Sequence, residues 1–206
     1  MGVEMFQSID RIRFSKTGSV ALAALFLAAC TQQPAQEEES HFRLTATVQD
    51  LMDAQIDPAA DFLWQSVATI VNEAGIEDRR PRTGEEWEAV RFAALRLVEG
   101  TNLLMMEGRR VAAEGMTIED AHLAGVLTPG EIQQEMETTW PAFVAYAQAL
   151  HDAGMESLRA IAARDAEALL NSGETIDVAC EGCHRTYWYP NAALPVPASA
   201  AAEPQP

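Results

Sequence analysis

Cysteine is scarce in this 206-residue chain, with three in all, and lysine is confined to Lys16. Three thiols cannot build the disulfide framework of a small secreted scaffold. No second Cys pair and no HxxxH pair accompanies Cys180 and Cys183, so the four ligands of a structural zinc site cannot be assembled from the usual spacings. Basic residues are few, 14 against 31 acidic ones for a net charge of −17, which excludes a surface built to neutralise nucleic-acid phosphates. Alternating apolar and polar runs bounded by turn residues are missing, so no strand is expected. The apolar run Val20–Ala29 is too short to span a bilayer. Also missing are a Ser/His/Asp set, a phosphate loop and paired carboxylates on a helix face, so any redox or ligand chemistry would have to come from a cofactor.

Near the C-terminus stands Cys180-Glu181-Gly182-Cys183-His184. Two thiols three residues apart share one face of a helix, where both can add to the vinyl groups of one porphyrin, and the adjacent His reaches the iron from the same side. This CxxCH spacing implies one covalent haem c, with Cys180 and Cys183 as thioether positions and His184 as proximal iron ligand. Covalent haem attachment belongs outside the cytoplasm, and the N-terminus fits that. Arg11, Arg13 and Lys16 precede the short apolar run in the manner of a signal peptide. Leu27-Ala28-Ala29-Cys30 resembles the bacterial lipobox, which implies lipidation of Cys30 and a mature chain starting there. All three thiols are then used. Thr31 rather than Asp after that Cys resembles an outer-membrane sorting signal, placing the protein on the periplasmic side of a bacterial membrane.

Removing residues 1–29 takes away three basic and two acidic groups, so 14 and 31 become 11 and 29, a formal charge of −18. Such a surface favours a redox partner protein with a basic patch, through steering that weakens with salt. The expected organisation is a signal peptide over 1–29, a lipidated tether over 30–42, one domain over 43–189 and a disordered Pro/Ala tail over 190–206.

Within the domain the apolar period is helical. A first helix carries Leu44, Val48, Leu51, Met52, Ala59, Phe62, Leu63, Val67, Ile70 and Val71, with a kink or break at Pro58 and Asp57 as the cap of its second part. A second opens at the capping box Thr83-Gly84-Glu85-Glu86 and runs from Trp87 toward Gly115, with Met105 and Met106 inside it as core filling. After a long connection, Thr128-Pro129-Gly130-Glu131 starts a short helical piece. A third main helix follows Pro141, has Gly154 as its weak point and ends at Asn171-Ser172-Gly173. The fourth holds Ile176, Cys180, Cys183, His184 and Tyr187. Trp64, Trp87 and Trp140 read as core or haem-edge aromatics, and His122 and His151 as structural. The fold class is all-α, an antiparallel four-helix bundle with covalent haem on the C-terminal helix.

That layout, with CxxCH on the last of four helices, resembles the cytochrome c′ family of monohaem cytochromes, its low-spin members included. The resemblance covers about residues 43–189 and implies a residue of the first helix on the iron face opposite His184. Met52 is the candidate for that distal ligand, four residues after Val48 on the same stripe. Leu51 covering the iron, His41 reaching in, and Met52 as plain filling are the alternatives. Met ligation implies an electron carrier and not an enzyme; an apolar distal wall implies a five-coordinate haem protein that binds NO or CO. Many members carry a basic residue four positions after the haem His; here Trp188 stands there, and Arg185 directly follows the His. A homodimer is admitted by the same resemblance.

Overall fold

In the computed structural model, residues 41–73 and 75–192 are described, the side chain of Asn72 excepted. The signal peptide, Cys30, most of the expected tether and the tail from 193 onward lie outside the described residues. The described chain is mainly helical with one two-stranded sheet.

Helix α1 (Val48–Leu51) begins at a capping box absent from the sequence reading. The amide of Asp50 donates to Thr47 Oγ1 at 3.0 Å, while Asp50 Oδ2 accepts from the Thr47 amide at 2.8 Å. Leu44 therefore lies before the helix, not in it. The chain continues without a break through a π-helical turn, Met52–Ile56, into α2 (Asp57–Ser66). Pro58 is the physical cause. It has no amide hydrogen to offer Ala54, and its ring would clash with that carbonyl in a regular α turn. Widening the turn relieves the clash, and the Asp57 amide bonds to Met52 O instead. The expected break thus becomes a bulge. Asp57 does not act as a side-chain cap, because the preceding residue, Ile56, is itself helical.

Helix α2 stops at Ser66 and does not carry the stripe on to Ile70 and Val71. Those residues form β1 (Ala68–Asn72), paired antiparallel with β2 (Gly75–Arg79) in the register Val71↔Ile76. The expectation of no strand is corrected here. Val67, Thr69, Ile70 and Val71 are β-branched and pack readily on a pleated surface, and Gly75, at φ +125°, supplies the turn. A helical stripe and a β-branched run overlap in this segment, and the turn decides between them.

The Thr83 capping box starts α3 (Gly84–Leu104) as expected, with the Glu86 amide on Thr83 Oγ1 at 3.1 Å. The helix ends at Leu104, not near Gly115, so Met105 and Met106 mark its exit and not its middle. Arg109 makes that stop. Its buried guanidinium donates to Leu103 O at 2.9 Å, to Ala46 O and to Met106 Sδ at 3.5 Å. A cation is thereby placed on the carbonyl end of the helix, where the dipole favours it. The connection that follows is structural. Arg110 O and Val111 O accept the first amides of α1, from Val48 at 2.9 Å and Gln49 at 3.0 Å.

Helix α4 (Pro129–Thr138) opens at the Thr128 capping box, and α5 (Trp140–Ala163) follows after Thr139. Helix α5 closes ten residues before the expected stop at Gly173, through Arg164 in the left-handed region at φ +53°. Asp165 then caps α6 (Ala166–Tyr187), its Oδ1 accepting from the amides of Glu167 at 3.1 Å and Ala168 at 3.0 Å. Asn171-Ser172-Gly173 lies inside α6. Gly173 marks a close approach: an added Cβ would sit 3.0 Å from Trp64 Cδ1, and Trp64 Nε1 donates to Gly173 O at 3.0 Å.

Each of α2, α3, α5 and α6 packs against two of the others, in the cyclic order α2–α3–α5–α6. Leu51, Ile56, Leu63, Leu97, Leu169 and Ile176 fill the interior almost without exposure. Gly154 is no weak point of α5, because an added Cβ would lie 2.8 Å from Val98 Cγ2 and 3.4 Å from Leu97 Cδ2. Gly154→Val is expected to cost about 1–3 kcal/mol by overpacking. Gly130→Ala, with nothing within 4 Å of the new Cβ, should be neutral or mildly stabilising. Paired thermal melts of the two variants check this.

Candidate functional site

Residues 180, 183, 184, 187 and 188 follow the i, i+3, i+4, i+7, i+8 spacing that keeps side chains on one helix face. That face of α6 and its C-cap residue borders a cavity of about 330 Å³, within the range of small-ligand sites. Cys180, Cys183 and His184 all line it. Gly182 sits on the α5 side of the motif, where an added Cβ would meet Tyr146 Cε1 at 3.4 Å. Thr186 Oγ1 donates to Tyr146 OH at 2.9 Å one turn further on, so the motif is fixed against α5 as well as by its own helix.

The N-terminal segment contributes Val48, Met52, Ile56, Asp57, Ala60 and Trp64 to the lining. Leu51 is 1 % exposed and faces the core instead. Of the two neighbours weighed as distal candidates, it is therefore Met52 that borders the same cavity as His184. His41 is exposed on the approach to α1. Met105 packs against the core, and Met106 accepts a hydrogen bond from Arg109. Trp87 is buried, and Trp140 stacks on Phe143 with centroids 5.5 Å apart; neither lines the cavity, whereas Trp64 does. His151 lies 3.6 Å from Asp152 on α5, and His122 lies on the exposed connection.

Several lining residues escaped the sequence reading. Phe143, Tyr146, Ala147 and Leu150 were legible as an apolar stripe of α5, but not as a cavity wall. Asp57 was read as a cap. Trp188, next to the motif, was read only as a departure from a family pattern.

Burial at the site favours the neutral forms of Cys180, Cys183 and His184. Burial pushes the Cys180 thiol up to about 11, helped by Asp177 and Asp57. Burial also pushes Cys183 up to about 12, helped by Cys180. A CxxC pair that exchanges disulfides needs a thiol pushed down toward neutrality; these go the other way, which keeps both as unionised thiols. Burial lowers His184 below the ordinary imidazole value, against the opposing pull of Glu181 and Asp57. A neutral imidazole is the form that ligates a metal. Glu181, which also borders the cavity, accepts from Arg185 Nε and from Tyr189 OH, the latter at 2.5 Å.

Among the described residues, no three His, Cys, Asp or Glu side chains converge as a cage for a bare metal ion, and no helix is long and apolar enough to cross a membrane. Two thiols and a ring nitrogen border the cavity from α6 and a thioether borders it from the N-terminal segment, with apolar side chains around them. Comparison with protein-family models, with curated proteins and with solved structures finds no match to this chain.

Proposed function

We propose that this chain is a monohaem c-type cytochrome, a cytochrome c′-like four-helix bundle that carries electrons. In this reading a lipid on Cys30 tethers it at the periplasmic face of a bacterial membrane, the outer one favoured. One observation carries the reading: both CxxCH thiols, His184 and Met52 border a single, largely apolar cavity. The cyclic packing of α2, α3, α5 and α6 supports the bundle.

Each residue has a task that its setting suits. Cys180 and Cys183 would hold a haem through thioethers, each formed by addition of the S–H across one vinyl group. His184 would hold the iron through a neutral ring nitrogen and Met52 through its sulfur. Val48, Ile56, Phe143 and Leu150 keep water from the ring. The haem supplies one-electron exchange between ferrous and ferric iron. Ligation by both His184 and Met52 would favour carrying electrons over capturing NO or CO. Asp53, Asp57, Glu119, Asp177 and Glu181 border the cavity and suit a partner with a basic patch.

Three outcomes check this. The haem should stay on the polypeptide through denaturing electrophoresis, and Cys180→Ala with Cys183→Ala should release it. Loss of haem from the unaltered chain would refute the reading. The oxidised protein should show the weak near-infrared sulfur-to-iron band and ignore CO when reduced; Met52→Ala should abolish the band and admit CO. An unchanged spectrum in Met52→Ala, with CO bound by the parent protein, would instead make this the five-coordinate gas-binding type. Intact mass of the mature chain should show a diacylglyceryl group on Cys30, and Cys30→Ser should abolish membrane partitioning.

A further inference from the structure

The two large apolar side chains most exposed among the described residues, Val71 at 75 % and Ile76 at 76 %, are partners across the hairpin register. Partners in such a register share a face of the sheet. All of β2 is exposed, and neither strand has a helix packed along it. A lone two-stranded hairpin is marginal in water, and further strands stabilise it. The two edges of this one differ. Strand β2 carries Glu77, Asp78 and Arg79, charges of the kind that discourage an added strand. Strand β1, Ala68-Thr69-Ile70-Val71-Asn72, carries neither charge nor proline, and among the described residues no strand lies on its outer side. Alternate residues of β1 direct amide and carbonyl to that side.

Charge singles out another copy of this chain as the occupant. At a net charge of −17 the chain repels itself over most of its surface, but from Val67 to Thr83 the acids Glu73, Glu77 and Asp78 are balanced by Arg79, Arg80 and Arg82. Arg79 lies 2.5 Å from Glu77 and Arg80 pairs with Asp78, so these charges are engaged locally. A basic partner would be drawn to the acidic surface elsewhere, not to this neutral edge. A two-fold axis normal to an antiparallel sheet sets one residue opposite its own copy. With Ile70 there, in the middle of β1, each Thr69 faces Val71 of the second copy and no charges meet. The same operation in the middle of β2 sets Glu77 against Glu77, a like-charge pair that destabilises. Pairing through β1 also limits itself, because both outer edges of the joined sheet are then the charged β2 strands.

We propose that two copies of this chain associate through the outer edge of β1, joining their hairpins into one four-stranded antiparallel sheet. Val71 thereby gains a cross-strand neighbour on its bare side. The contact is one pair of short strands, so the association is reversible and depends on concentration. It is independent of the haem reading.

Sedimentation equilibrium of the full-length protein, in a detergent matched to the solvent density so that only protein mass is read, should show monomer and dimer in exchange. Val71→Lys alters an exposed side chain and sets two ammonium groups diagonally across the axis; it should weaken the dimer by about tenfold or more. Phe92→Lys, at an exposed apolar residue of α3, should leave the dimer unchanged. In the parent protein, amides of β1 should exchange with solvent about tenfold or more slowly at a dimeric than at a monomeric concentration, while those of α3 stay as they are. That measurement needs no variant to fold. A chain that stays monomeric into the millimolar range, a dimer that survives Val71→Lys, or β1 amides whose exchange ignores concentration would overturn the proposal.

Discussion

The geometry of the N-terminal wall depends on one missing hydrogen atom, the amide proton that Pro58 does not have. Residues 48, 52, 56, 60 and 64 all border the cavity, in steps of four. In a regular α-helix such steps overshoot the 3.6-residue turn by roughly 40° each, so four of them would rotate Trp64 by about 160° away from the direction of Val48. The π turn at Met52–Ile56 advances less per residue and takes back part of that drift. It also stands where Met52 meets the cavity. The cost of a proline inside a helix and the continuity of this wall are two aspects of one backbone feature.

The opposing helices are held to that wall by close approaches and by polar contacts with little freedom. Gly100 admits Ile56 of the π turn, where an added Cβ would lie 2.9 Å from Ile56 Cγ1. Gly173 admits Trp64, whose indole then bonds to Gly173 O. Ser157 and Ser172 share a buried hydroxyl contact of 2.8 Å between α5 and α6. Arg109 ties the exit of α3 to the approach to α1, with its charge on the backbone carbonyls of Leu103 and Ala46. Each contact removes a way for the helices to slide, which keeps the two cavity walls at one separation.

Burial governs the chemistry of the site more than its charges do. Carboxylates push the Cys180 thiol up and pull the imidazole up, and Cys180 pushes Cys183 up, yet for all three groups desolvation is the largest influence. It favours the uncharged form of each. Unionised thiols are poorly suited to thiol–disulfide exchange, and a neutral imidazole keeps a lone pair free for a metal.

By itself the sequence determined what depends on neighbours a turn or less apart. The placing of Cys180, Cys183 and His184 on one face follows from the helical period, and the starts at Thr83 and Thr128 follow from capping boxes whose partners lie three residues away. Only the tertiary structure decided the rest, because the deciding partner is distant in the chain. Gly173 reads locally as a helix stop and is instead the place where Trp64 fits, 109 residues away. The end of α3 depends on Arg109 reaching Ala46, 63 residues away. Ile70 and Val71 satisfied a helical stripe and a strand alike, until pairing with Gly75–Arg79 chose the strand. Which of Leu51 and Met52 would border the cavity depended on how a proline-widened turn rotates, and apolar spacing does not encode that rotation.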